Sequence, residues 1–147
     1  GGVGKTRLAL EVADSAGADF ADGVCFIELA QVSDPSLLVR TVAGAFDVHE
    51  EATRPLLDTL LDVLRRRSVL LILDNCEHLI ERCAAFAEQV LHHSRGTRTL
   101  ATSREALSVP GEVAWRLPSL RTALHTSPMP PTPTTSCNFH APHNSPA

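Results

Sequence analysis

The chain opens with Gly1-Gly2-Val3-Gly4-Lys5-Thr6-Arg7, and Leu8, Val12 and Ala16 follow at helical spacing. Glycines at such a point let successive backbone N–H groups turn inward and form an anion-binding nest. A helix beginning at Lys5 aims the positive end of its dipole at the same place. Gly4-Lys5-Thr6 matches the last three positions of the phosphate loop G-x-x-x-x-G-K-[ST], with Gly1, Gly2 and Val3 in three of its four variable positions. In that reading Lys5 neutralises the β- and γ-phosphates and the Thr6 hydroxyl coordinates Mg²⁺. Gly1, Gly2, Val3, Gly4, Lys5, Thr6 and Arg7 are therefore the candidate nucleotide-binding residues. The plainer reading is a glycine-rich turn with an exposed lysine.

A second chemical group stands far along the chain. "SVLLILDN", residues 68–75, is a nearly continuous apolar run closed by Asp74. Such a run suits a parallel strand buried on both faces. An acid at its tip can hold Mg²⁺ through water, which makes Thr6 and Asp74 the candidate metal residues. The plainer role for Asp74 is an N-cap for the segment after it, and the two roles can coexist. No N-K-x-D string is present, so adenine is the expected base and not guanine.

The elements that must position these groups alternate. A helix is expected over 5–16, stopped by Gly17. "VCFIEL", residues 24–29, is a strand. Asp34-Pro35 supplies an N-cap and an N1 proline for a helix to about Phe46. Pro55 opens a helix that ends at Arg65-Arg66-Arg67. After the Asp74 strand come a helix from Glu77 to His92 and a strand in "RTLATSR", residues 98–104. "VAWRLPSL", residues 113–120, is a possible last strand, limited by Pro118. Alternating strands and helices mean a parallel sheet covered by helices on both sides. Ligands bind such sheets at the carboxyl ends of the strands. The polar groups to examine are thus Lys5-Thr6, Asp74-Asn75 and Thr102-Ser103-Arg104.

Composition bounds the class. The 147 residues are 44% hydrophobic and 20% charged, with a net charge of −4. That mild acidity argues against nucleic acid or an anionic membrane as a direct partner. The three arginines read as a solvated helix end and not as a DNA patch. Cys25, Cys76, Cys83 and Cys137 contain no C-x-x-C pair and read as small buried hydrophobes in a reducing cytoplasm, not as a metal site or disulfide framework. No signal peptide or membrane-length apolar run is visible. Residues 121–147 hold six of the ten prolines, no acid and one basic residue, Arg121. This Pro/Thr/Ser-rich tail is expected to be disordered; a linker, a truncated end and sequence read out of frame all fit it.

Four blocks in order, "GGVGKTRLALEVA", "LLILDNCEHL", "LATSRE" and "VPGEVAWRLPSL", resemble the nucleotide-binding domain of bacterial STAND-type signalling ATPases, over essentially residues 1–120. Within that group the chain is most similar to the large SARP- and LuxR-type regulators of actinobacteria, which in turn resemble NB-ARC switches. The resemblance implies a three-layer α/β P-loop NTPase with a parallel sheet, incomplete because the first strand is missing. Its cofactors would be ATP or ADP with Mg²⁺, and its work a nucleotide-dependent change of shape. It matches Asp74 to the Walker B acid and Arg104 to a sensor arginine that reaches the γ-phosphate. A plainer role for Arg104 is a surface ion pair with Glu105 or another acid.

The departures from the pattern carry expectations too. Loss of a central strand would leave its neighbours with an exposed hydrogen-bonding edge. Asn75 stands where rapid ATPases carry a water-polarising glutamate, and Glu77 can partly substitute. The candidate catalytic set is therefore Asp74, Glu77 and Arg104, with slow hydrolysis at best. The leading expectation is an ATP/ADP switch module of a signalling ATPase or transcriptional regulator. Homo-oligomers or regulatory domains of a longer protein are its expected partners, without direct contact to DNA or membrane. A small P-loop kinase and a non-binding remnant of such a domain are the alternatives.

Overall fold

The computed structural model describes residues 3–117 and 135–138. The element order is α1 (Val3–Ala16), β1 (Val24–Glu28), α2 (Leu38–Ala45), α3 (Leu56–Arg65), β2 (Leu70–Asp74), α4 (Ile80–His93), β3 (Arg98–Ala101) and β4 (Thr135–Asn138). The sheet runs β3-β2-β1-β4, with β1–β2 and β2–β3 parallel and β1–β4 antiparallel.

All five residues of β2 are buried because both faces of the sheet are covered. Alternate side chains of a strand point to opposite sides. Leu71 and Leu73, with Cys25 and Ile27 of β1, face a core shared with α2, α3 and α4, which contribute Val42, Leu60, Leu64, Phe86 and Val90 among others. Leu70, Ile72 and Phe26 face α1, where Ala9 is buried and Leu10, Val12, Ala13 and Ala16 pack around it. Helix, sheet and helix layers result, giving the α/β architecture expected of a P-loop NTPase fragment.

Local signals place most boundaries. The Asp34 carboxylate accepts from Ser36 N–H at 2.9 Å and caps a 3₁₀ turn, Pro35–Leu37, that leads into α2. Pro55 stands at the N-cap of α3. In α3 the buried Leu60, Leu61 and Leu64 form one stripe, and Asp62 and Arg65 lie off it. Behind α4, Ser94 and Thr97 close the amino end of the next strand: both hydroxyls donate to Leu64 carbonyl, at 2.8 and 3.2 Å. Among the described residues no helix is long and apolar enough to cross a membrane.

Several expectations are corrected. Helix α1 starts at Val3 and not Lys5, so Gly4 lies in its first turn. Helix α4 starts at Ile80, because residues 77–79 form a turn closed by Leu79 N–H on Cys76 carbonyl at 2.9 Å. No unpaired edge remains on β2, since β1 and β3 flank it directly. Residues 113–117 form no strand and have no ladder partner among the described residues; just before them Glu112 folds the loop on itself by accepting from Leu107 and Val109 N–H. Trp115 is consequently 84% exposed, and Val113 stands out beside it. Residues 118–120 lie outside the described residues. Within the segment expected to be disordered, Thr135–Asn138 pairs with β1, setting Cys137 opposite Cys25 in register; the rest of 121–147 lies outside the described residues. Cys25 is buried and disulfide-bonded, whereas Cys76 and Cys83 are buried free thiols. The neighbouring Cys83 sulfur, and then burial, push the Cys76 thiol up, so it stays protonated.

Candidate functional site

Parallel pairing brings the carboxyl ends of β1, β2 and β3 to one side of the sheet. Asp74 is the last residue of β2, and the ladder continues around it: Leu29 N–H donates to Asp74 carbonyl and Thr102 N–H to Leu73 carbonyl, both at 2.9 Å. The Asp74 side chain is thereby held at the sheet rim at 1% exposure. A carboxylate so buried needs donors, and two threonines supply them. Thr6 Oγ1 donates to Asp74 Oδ2 at 2.8 Å, and Thr102 Oγ1 donates to Oδ1 at 2.5 Å.

Thr6 reaches Asp74 from the first turn of α1. The first N–H groups of a helix have no intrahelical partner, so those of Val3, Gly4 and Lys5 at the start of α1 can serve as donors to an anion. Lys5 lies beside them, with Nζ 3.1 Å from Glu77 Oε1 and both side chains about a quarter exposed, at 24% and 26%. Partial burial works to raise the Glu77 carboxyl, but its own backbone N–H, the Lys5 ammonium and the charge of Arg104 outweigh this and hold it below the usual glutamate range. Arg104 is itself exposed.

Asn75 follows Asp74 with φ 64°, in the left-handed region that asparagine tolerates better than most residues. This turns the chain so that Asn75 N–H donates to Thr102 Oγ1 at 3.0 Å and Cys76 N–H to Thr102 carbonyl at 2.9 Å. Asp74 is thus not the N-cap of the next helix, which begins at Ile80 behind Leu79.

The structure therefore pairs Thr6 with Asp74 and, from the adjacent residue, Lys5 with Glu77, with the charge of Arg104 felt at Glu77. Arg7 points elsewhere: it is exposed and pairs with Glu11 one turn along α1, at 3.5 Å. Gly1 and Gly2 lie outside the described residues, and Val3 is described only as the first residue of α1. Thr102 stood among the polar groups at the strand end but was given no role of its own, although it is the first residue after β3 and so already lay at the rim.

The donor set can be tested against the expected cation. Thr6 Oγ1 and Asp74 Oδ2 are two hard oxygens facing one another. Among the described residues no cage of three or more His, Cys, Asp or Glu side chains is present. Two protein oxygens fit Mg²⁺, which keeps waters and takes its other ligands from phosphate, and they suit a cation that demands a full protein cage poorly.

Comparison with known proteins gives the family and the relatives. A family model described as "AAA domain" matches residues 1–108. A protein of Mycobacterium tuberculosis provisionally named an HTH-type transcriptional regulator is 39% identical over 120 residues, 82% of this chain and 13% of the relative. An uncharacterized protein of the same organism is 35% identical over 119 residues, 81% of this chain and 30% of the relative. Regulatory protein AfsR of Streptomyces coelicolor is 33% identical over 112 residues, 71% of this chain and 11% of the relative. The chain thus spans less than a third of the length of each of these relatives. No solved structure matches it. The family match runs from the glycine loop past Asp74 and Arg104 and covers well over half of the sequence: the chain belongs to the AAA domain family.

Proposed function

We propose that this chain is an ATP/ADP-binding switch module of the STAND type, working inside a longer transcriptional regulator. The observation that carries the reading is the 2.8 Å contact between Thr6 Oγ1 and Asp74 Oδ2, with Lys5 beside it. A hydroxyl on a helix mouth and an acid on a strand tip meet where a polyphosphate would lie against the free N–H groups of α1. Lys5 binds the β- and γ-phosphates. Thr6 and Asp74 hold Mg²⁺, which when bound neutralises phosphate charge. Arg104 reports the γ-phosphate from the rim of β3.

Hydrolysis is slow in this reading, because the residue after the strand-tip acid is the amide Asn75 and not a carboxylate. The Asn75 backbone is tied to Thr102, an amide side chain is a poor base, and Glu77, two residues further on, substitutes only in part. A slow reaction suits a switch that must persist in its ATP state. The regulator names of the relatives support the setting, and DNA contact would fall to other parts of such a protein.

Thermal unfolding with Mg-ADP and Mg-ATP tests the proposal. A ligand at a hundred times its Kd adds about 2.7 kcal/mol, which raises the midpoint of a domain this size by about 8 °C. Lys5→Ala should abolish the shift. An unchanged midpoint in the wild-type chain would mean a non-binding remnant, and rapid phosphorylation of a small metabolite would mean a kinase.

A further inference from the structure

We infer that Glu77 is a built-in counter-anion that holds Lys5 whenever no polyphosphate is bound and sets the affinity for polyphosphate by competing with it. This rests on the phosphate-binding reading of Lys5. Three observations carry it. First, the only ion pair of Lys5 among the described residues is with Glu77, at 3.1 Å, across 72 residues of sequence. Second, the turn that presents Glu77 is pinned on both sides. Cys76 and Leu79 are buried in the core, and Leu79 N–H donates to Cys76 carbonyl. His78 Nε2 lies 2.7 Å from Val32 carbonyl, an atom that only accepts, so Nε2 carries the proton and ties the turn to the loop after β1. The Glu77 carboxylate is therefore delivered to Lys5 by a fixed backbone and not by a wandering side chain. Third, the Asp74 carboxylate is already satisfied by two threonine hydroxyls, so Glu77 is the acid left to answer the lysine.

A phosphate entering at the α1 mouth must take over the Lys5 ammonium and displace the Glu77 carboxylate. The pair is thus a competitor with an effective concentration fixed by the fold. Release of Glu77 also frees the carboxylate beside the arriving phosphates, so engagement of Lys5 and availability of a base become one event. Removing the negative charge should tighten binding: losing a partly exposed pair and a like charge next to phosphate amounts to about a fivefold lower Kd.

The test compares wild type, Glu77→Gln and Lys5→Ala by calorimetric titration with Mg-ADP and with inorganic tripolyphosphate. Ligand-free thermal midpoints serve as the control for folding. The expected result is that Glu77→Gln binds both probes about fivefold more tightly than wild type, with a near-wild-type midpoint. A residue that only shaped the loop would weaken binding when replaced, so the sign of the change discriminates. If wild type binds and Glu77→Gln binds equally or more weakly, the counter-anion role is overturned while the nucleotide reading stands. If neither protein binds either probe, the nucleotide reading itself is refuted and this inference with it. Binding by Glu77→Gln alone would support the inference in its strongest form.

Discussion

Replacing Thr102 by valine removes one oxygen and nearly no volume, and the structure makes that oxygen consequential. Thr102 Oγ1 donates to Asp74 Oδ1 and accepts from Asn75 N–H, at 2.5 and 3.0 Å. Its neighbours have little water to turn to: Asp74 is 1% exposed and Thr102 9%. A hydrogen bond to a charged group contributes about 1.5–3 kcal/mol, and an orphaned backbone N–H costs about 1 kcal/mol more. Thr102→Val should therefore destabilise the fold by about 3 kcal/mol, a large share of a typical domain's 5–15 kcal/mol. In urea, with a slope of about 2 kcal/mol/M, the unfolding midpoint should fall by about 1.5 M. The same substitution made on Asp74→Asn should cost only about 1 kcal/mol, because the charge that needed the hydroxyl is gone, leaving a coupling energy of about 2 kcal/mol. A cost below about 0.5 kcal/mol, or an equal cost in both backgrounds, would refute the argument that Thr102 satisfies the buried carboxylate.

Other perturbations probe neighbouring parts of the argument. At Asn75, with φ 64°, glycine should be tolerated within a few tenths of a kcal/mol, whereas Asn75→Val should cost about 1–2 kcal/mol in denaturant melts. A Cβ on Gly96 would lie 2.5 Å from Arg67 carbonyl oxygen, a backbone atom, so Gly96→Ala should lower stability by about 2 kcal/mol; a neutral result would show that the α3–β2 connection yields freely. The Glu77 carboxyl is held below its ordinary value of 4.5. Its contribution to stability is thus complete above that pH and lost as pH falls through the lowered folded value. A carboxyl NMR titration should show the Glu77 midpoint rising in Lys5→Gln, and an unmoved midpoint would mean the ion pair does not form in solution.

The readable part of this protein was the part that local physics encodes. Helical spacing at Val12 and Ala16, the Asp34-Pro35 cap and the apolar run into Asp74 each act within a few residues, so each could be read where it stood. The meeting of Lys5, Thr6 and Asp74 at one end of a sheet also followed from the sequence, through the rule that parallel strands gather their carboxyl ends. Tertiary structure alone decided which side chain answers which. Thr102 reaches Asp74, Glu77 closes on Lys5, β3 lies directly against β2, and Val113 and Trp115 stand outside the sheet. Those outcomes depend on strand register and on contacts 28 and 72 residues apart in the chain. No local period or cap specifies such pairs, because their energies are set by what burial and the neighbouring strands leave unsatisfied once the layers have packed.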